Sequence, residues 1–121
     1  MSVNAVLLGL SVWTVCFTSV NLIVGELFAH DKVRPTKYQG IRLAPLLKST
    51  GAWYAGHRAA GSGMVRAGVV GLVLAVAIGA LIVAGAPQAP AVALALAAVV
   101  VEVGGFVLAI RQAVRVARAT A

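Results

Sequence analysis

A histidine, a tryptophan, a serine and two arginines fall within one short stretch between apolar segments: Gly40, Ile41, Arg42, then Lys48, Ser49, Trp53, His57 and Arg58. Trp53 and His57 are four residues apart, so on a helix they share a face and can stack. Gly40 with Arg42 can form a turn that holds an anion or a lipid headgroup through backbone N–H groups and a guanidinium. Alternatively, Arg42 pins the loop to phosphates or to a loop carbonyl. Ser49 and His57 do not suggest a nucleophile–base pair, since no third group that would orient the histidine is evident. Glu26, His30, Asp31 and His57 could be assembled into a metal site, but only Glu26–His30 has the i, i+4 ligand spacing of a helix. Interfacial polar residues reaching toward water account for them more simply. The expectation is therefore no catalysis, no metal and no cofactor. Glu102 poses a different question, because it is the one acid within an apolar run, and intramembrane acids are functional candidates by default.

The elements that must position these residues are set by composition. Hydrophobic residues make up 61% of the 121 and charged residues only 11%, far from the balance of a soluble domain. Three apolar runs carry the excess, at about 3–24, 64–86 and 89–110. Each is close to the ~20 residues that cross ~30 Å of hydrocarbon. Backbone groups in lipid must be satisfied internally, so the runs are expected to be helices. The first has no basic residue in its MSVN start and no small-x-small cleavage site after its apolar core, which reads as a retained span rather than a signal peptide. The expected fold is an all-α membrane protein: one domain over 1–121, three transmembrane helices, a long ordered cytoplasmic loop over 25–63, and a basic tail over 111–121.

Charge gives the expected orientation. The ten Lys and Arg divide between the first loop (Lys32, Arg34, Lys37, Arg42, Lys48, Arg58, Arg66) and the tail (Arg111, Arg115, Arg118). The N-terminus and the GAPQAP turn have none. By the positive-inside rule the N-terminus is external, the loop and tail are cytoplasmic, and the Pro87–Pro90 turn is external. The net charge of +7 then reflects topogenic signals and attraction to anionic lipids. Nucleic acid is not an expected partner, because no aromatic-interleaved basic face is present. Cys16 stands alone, so disulfide and CxxC chemistry are excluded; packing is its expected role.

Helix faces follow from spacing. Ser11, Thr14, Thr18, Asn21 and Gly25 form a small and polar stripe along span one, which should face another helix. Gly71, Ala75 and Gly79 make a small-residue ridge on span two. Ala91, Ala95, Ala98, Glu102, Gly105 and Ala109 do the same on span three. Together they predict a compact bundle. In it a protonated Glu102 hydrogen-bonds span-one hydroxyls, with Thr14 and Thr18 bracketing its depth, or a partner chain. From Ser49, a candidate N-cap, an interfacial helix is expected to run with Trp53 and Tyr54 at headgroup level, bending near Gly61-Ser62-Gly63 before span two. Arg42, Ser49, Trp53 and His57 are expected to form one hydrogen-bonded and stacked unit.

Gly40-Ile41-Arg42, Lys48-Ser49, Trp53 and His57-Arg58, followed by a small-residue run and a span, fall at spacings that resemble the SdpI family of small bacterial membrane proteins. That family is named for immunity to a secreted killing peptide. Its segment reads approximately as Asn, three residues, Gly-Ile-Arg, a Thr-rich turn, Ser, three residues, Trp, three residues, His. The match covers roughly residues 36–80. Thr36 stands where the family often has Asn, and Leu43 and Leu46 where Thr is frequent. The resemblance implies a non-enzymatic plasma-membrane protein that protects against an antimicrobial peptide, or in some members sequesters a regulator. A second class remains open, a small accessory subunit packed through its Ala/Gly faces against a larger membrane complex. Expected partners are thus anionic lipids and another membrane protein or a second copy, together with a peptide toxin or a regulator.

Overall fold

The computed structural model describes residues 2–36 and 39–121. Four helices occupy most of them: α1 Val3–Ala29, α2 Ala44–Leu47, α3 Thr50–Val83 and α4 Gln88–Ala119. The three long helices are apolar and long enough to cross a membrane. Helix α3 packs along both α1 and α4, which meet each other less extensively.

Local chemistry sets the helix starts. Ser2 Oγ accepts the Ala5 N–H and Ser49 Oγ accepts the Ala52 N–H, so each satisfies one of the donors that a helix N-terminus leaves open. Helix α3 ends at the Ala84–Gly85 turn, where Gly85 takes a positive φ of 69°. Gln88 then reaches back to hydrogen-bond the Asn4 side chain. This places the start of α1 and the α3–α4 turn at the same end of the bundle.

The long loop over 25–63 is not found. Helix α1 continues to Ala29 and α3 begins at Thr50, so only 30–43 and 48–49 separate the helices on that side. The expected interfacial helix and span two are one helix, unbroken through Gly61-Ser62-Gly63. The reason is tertiary. Glycine costs a helix up to about 1 kcal/mol relative to alanine, but here it permits contact that no larger residue would allow. A Cβ on Gly61 would lie 2.5 Å from the backbone of both Gly25 and Ala29. Close packing of α3 against α1 replaces what local propensity withholds.

The small stripes of α1 and α4 become the interior, but of the ridge expected on α3 only Gly71 is buried. Ala75 is half-buried, and Gly79 is exposed, since no neighbouring helix comes within 4 Å of where its Cβ would be. On α4, Ala91, Ala95, Ala98, Glu102 and Ala109 are buried, and the stripe runs on through Ala113 and Ala117. On α1, Thr14, Thr18 and Asn21 are buried. Outside lie Leu8, Val76 and Val100, each more than 60% exposed, as suits side chains that meet lipid. Cys16 is exposed on this outer surface and does not pack in the core.

Helix α3 has 34 residues, about 50 Å at ~1.5 Å per residue, whereas the hydrocarbon is ~30 Å thick. The α3–α4 turn holds one end of both helices together. The surplus therefore emerges at the other end, as the first turns of α3 beside the last turns of α4. The described residues of 30–49 fold over this projecting end as a cap.

Candidate functional site

The cap is built around His57 and Trp53, one turn apart on α3 and each about 1% exposed. Their rings lie 4.1 Å apart with a 35° tilt, and Phe28 of α1 meets the imidazole edge-on at 4.7 Å. Each ring also ties the loop down. Trp53 Nε1–H donates to the Val33 carbonyl at 2.9 Å. The Ile41 N–H donates to His57 Nε2 at 2.8 Å. A backbone N–H can only donate, so Nε2 is unprotonated. The proton sits on Nδ1, which donates to the Trp53 carbonyl at 2.7 Å. The imidazole is thus a neutral tautomer with both nitrogens engaged. It lies about two turns before the apolar run that starts at Met64, outside the hydrocarbon, and burial holds its pKa below the ordinary 6.5, partly offset by the Trp53 carbonyl.

Gly40 closes the unit. Its φ is +85°, and a Cβ there would come within 2.8 Å of the Trp53 ring and His57 Nε2. Both the backbone conformation and the space therefore require glycine. Below it Leu46 of α2 is fully buried and seated against Gly56. At the rim Arg58 pairs with Asp31 at 2.9 Å, with Asp31 at φ 57° just past the end of α1.

The unit differs in membership from the one expected. Trp53 and His57 are together, but Arg42 is exposed and bonds the Thr36 carbonyl within the loop. Ser49 caps α3 and donates to the backbone oxygen of Ala121 at 2.8 Å, while Lys48 reaches the Arg118 carbonyl. Trp53 is a core residue here, not a headgroup anchor, because the loop covers it. Sequence reasoning missed Val33 and Phe28, and it named Ile41 and Asp31 without the roles they take, as donor to His57 and as partner of Arg58. Asp31 carried a further local signal, as a short polar residue able to take a positive φ after a helix. Residues suggested for a metal site are dispersed. Glu26 and His30 pair with each other on the surface, Asp31 pairs with Arg58, and His57 is committed to backbone. Among the described residues no three His, Cys, Asp or Glu converge.

A second polar group lies inside the bundle. The Thr18 hydroxyl donates to Glu102 Oε1, joining α1 to α4, and Gly71 of α3 makes room for both, since a Cβ there would strike the carboxyl and the hydroxyl. Thr14 does not share in this contact; its hydroxyl bonds the Leu10 carbonyl of its own helix. Asn21, one turn from Thr18, is fully buried, and its amide, like Glu102 Oε2, makes no hydrogen bond to the described residues. Arg66 is not near them: it is exposed and bonds the Ser62 carbonyl.

Three membrane-length helices under a cap pinned by aromatic and imidazole hydrogen bonds define a multi-pass α-helical membrane protein. The SdpI/YfhL protein family model matches residues 32–110, more than half of the chain and including the whole capped end of α3. The chain belongs to that family. No curated protein and no solved structure matches it.

Proposed function

We propose that this chain is a non-enzymatic bacterial plasma-membrane protein that confers immunity to a membrane-active killing peptide, or signals its presence, through the cap over residues 30–58. The observation that carries this reading is the Gly40–His57–Trp53 unit. The family motif residues Gly40, Trp53 and His57 are used to hold a loop rigidly against α3, which leaves Arg42, Leu43, Leu47 and Lys48 on the surface. A basic and apolar surface on a rigid support suits recognition of a partner better than chemistry. The engagement of both His57 nitrogens with backbone supports a non-enzymatic role, since neither is free to move a substrate proton. By the charge asymmetry the cap faces the cytoplasm, where a regulator is within reach, and a killing peptide is met in the bilayer by the bundle. The accessory-subunit alternative has less support, because the small-residue face of α4 and Gly71 of α3, which it would assign to a partner, are buried within the chain.

The test is a survival assay. Sensitive bacteria carrying the chain or an empty vector are exposed to secreted killing peptides from competing strains. The reading expects at least tenfold better survival against one such peptide. Equal survival across the panel, with the chain present in the membrane, contradicts it.

A further inference from the structure

A groove of about 1160 Å³ runs between α3 and α4, lined by no residue of α1. At its floor the two helices lie in close contact, with Gly63 against Ala109 and Ala67 against Gly105. Toward mid-membrane its walls are apolar, from Val70, Val100, Gly104 and Leu108; toward the cap four arginines line it, Arg66, Arg111, Arg115 and Arg118. The last three are spaced i, i+4, i+7 and so share one face of α4.

These arginines have no acidic partner. The chain holds three acidic side chains, and all are committed elsewhere: Glu26 to His30, Asp31 to Arg58, and Glu102 inward to Thr18. Arg66 bonds the Ser62 carbonyl and Arg115 the Gln112 amide, which leaves their charge uncompensated. Along α4 the apolar part from Val100 to Leu108 spans about 12 Å and the arginines begin one turn beyond it. That matches the depth of one leaflet of a ~30 Å hydrocarbon layer, followed by its headgroups.

We propose that the α3–α4 groove is a binding site for an anionic phospholipid, its acyl chain along Val70, Val100, Gly104 and Leu108 and its phosphate among the four arginines. A second copy of the chain is a poor occupant, because it would set arginines against arginines. A free phosphate would leave the apolar trough without a role.

Native mass spectrometry of the detergent-purified protein tests the site, using phosphatidylglycerol, phosphatidylcholine and inorganic phosphate as probes. Wild type is expected to retain one phosphatidylglycerol about tenfold better than phosphatidylcholine, and inorganic phosphate at equal concentration should not displace it. Arg111→Gln with Arg115→Gln should weaken retention about fivefold per arginine removed. Gly104→Leu separates a groove from simple charge attraction. A Cβ at Gly104 meets nothing within 4 Å, so the helix tolerates the change while the trough is filled, and retention should fall about tenfold with every charge in place. Equal retention of the two lipids by wild type overturns the proposal, and that comparison needs no variant. Undiminished retention by a helical Gly104→Leu protein overturns it too, as does displacement by phosphate alone. So does an arginine variant that changes the oligomeric mass while leaving lipid retention unaltered.

Discussion

His57 accepts the Ile41 N–H through Nε2 at 2.8 Å, a bond that only the neutral imidazole can make. Protonation would turn this acceptor into a donor facing another donor, within a site that already disfavours charge. The folded-state pKa is lowered, so the stability that neutral His57 contributes is complete above the ordinary value of 6.5. It is lost as pH falls from there through the folded value. Thermal unfolding of the purified protein should therefore shift to lower temperature below about pH 6.5, and His57→Gln should flatten that dependence. An identical pH profile for the variant would show that the cap does not rest on this tautomer.

Gly40→Ala forces a side chain into a positive-φ position against the Trp53 ring and His57. The cost should be about 1–3 kcal/mol, felt mainly as release of the loop. Hydrogen exchange at the Ile41 amide should accelerate while the spans stay protected. Trp53→Ala removes a buried aromatic and leaves the Val33 carbonyl without its donor, for about 3–5 kcal/mol. Wild-type exchange at Ile41 in Gly40→Ala contradicts the geometry.

The three helices and the inward faces of α1 and α4 were legible in the sequence, because a 20-residue apolar run and a stripe of small residues are local patterns. The ridge read on α3 is buried only at Gly71. Thr18, Asn21, Ala95, Ala98 and Glu102 all lie where spacing placed them, in the interior. What could not be read locally was the end of α3 that carries the cap. Gly51, Gly56, Gly61 and Gly63 weaken a helix taken alone, and the value of the last three appears only when Leu46 of α2, α1 and α4 lie against them. Trp53 shows the same limit. An aromatic next to a span reads as an interface anchor until Val33, twenty positions away, supplies a buried acceptor for its N–H.

Glu102 and Thr18 give a prediction about the membrane interior. Glu102→Gln keeps a side chain able to hold the Thr18 hydroxyl and should preserve both fold and protection. Glu102→Leu removes the acceptor of the Thr18 hydroxyl and should destabilise by about 1–3 kcal/mol. A Gln variant that folds but gives no protection would instead assign Glu102 a titrating role. The two can be separated by comparing melting temperature with survival.

The proposed orientation rests on charge. In intact cells, and after Cys16→Ala removes the native thiol, cysteines introduced at Asn4 and Gln88 should label from outside. Those at Lys48 and Arg115 should label only after the membrane is opened. External labelling at Lys48 or Arg115 reverses the assignment and places the cap outside.

The central claim is that the cap offers a recognition surface held up by Trp53 and His57. Its most direct measurement is killing-peptide survival in cells carrying Arg42→Glu, Leu43→Glu and Leu47→Glu together. All three residues are exposed and the changes cost only the Arg42 bond to the Thr36 carbonyl, so the helical fold, membrane level and labelling pattern should match wild type. The predicted result is loss of protection to the vector level. Full protection by this triple variant, at equal membrane abundance, would contradict the account.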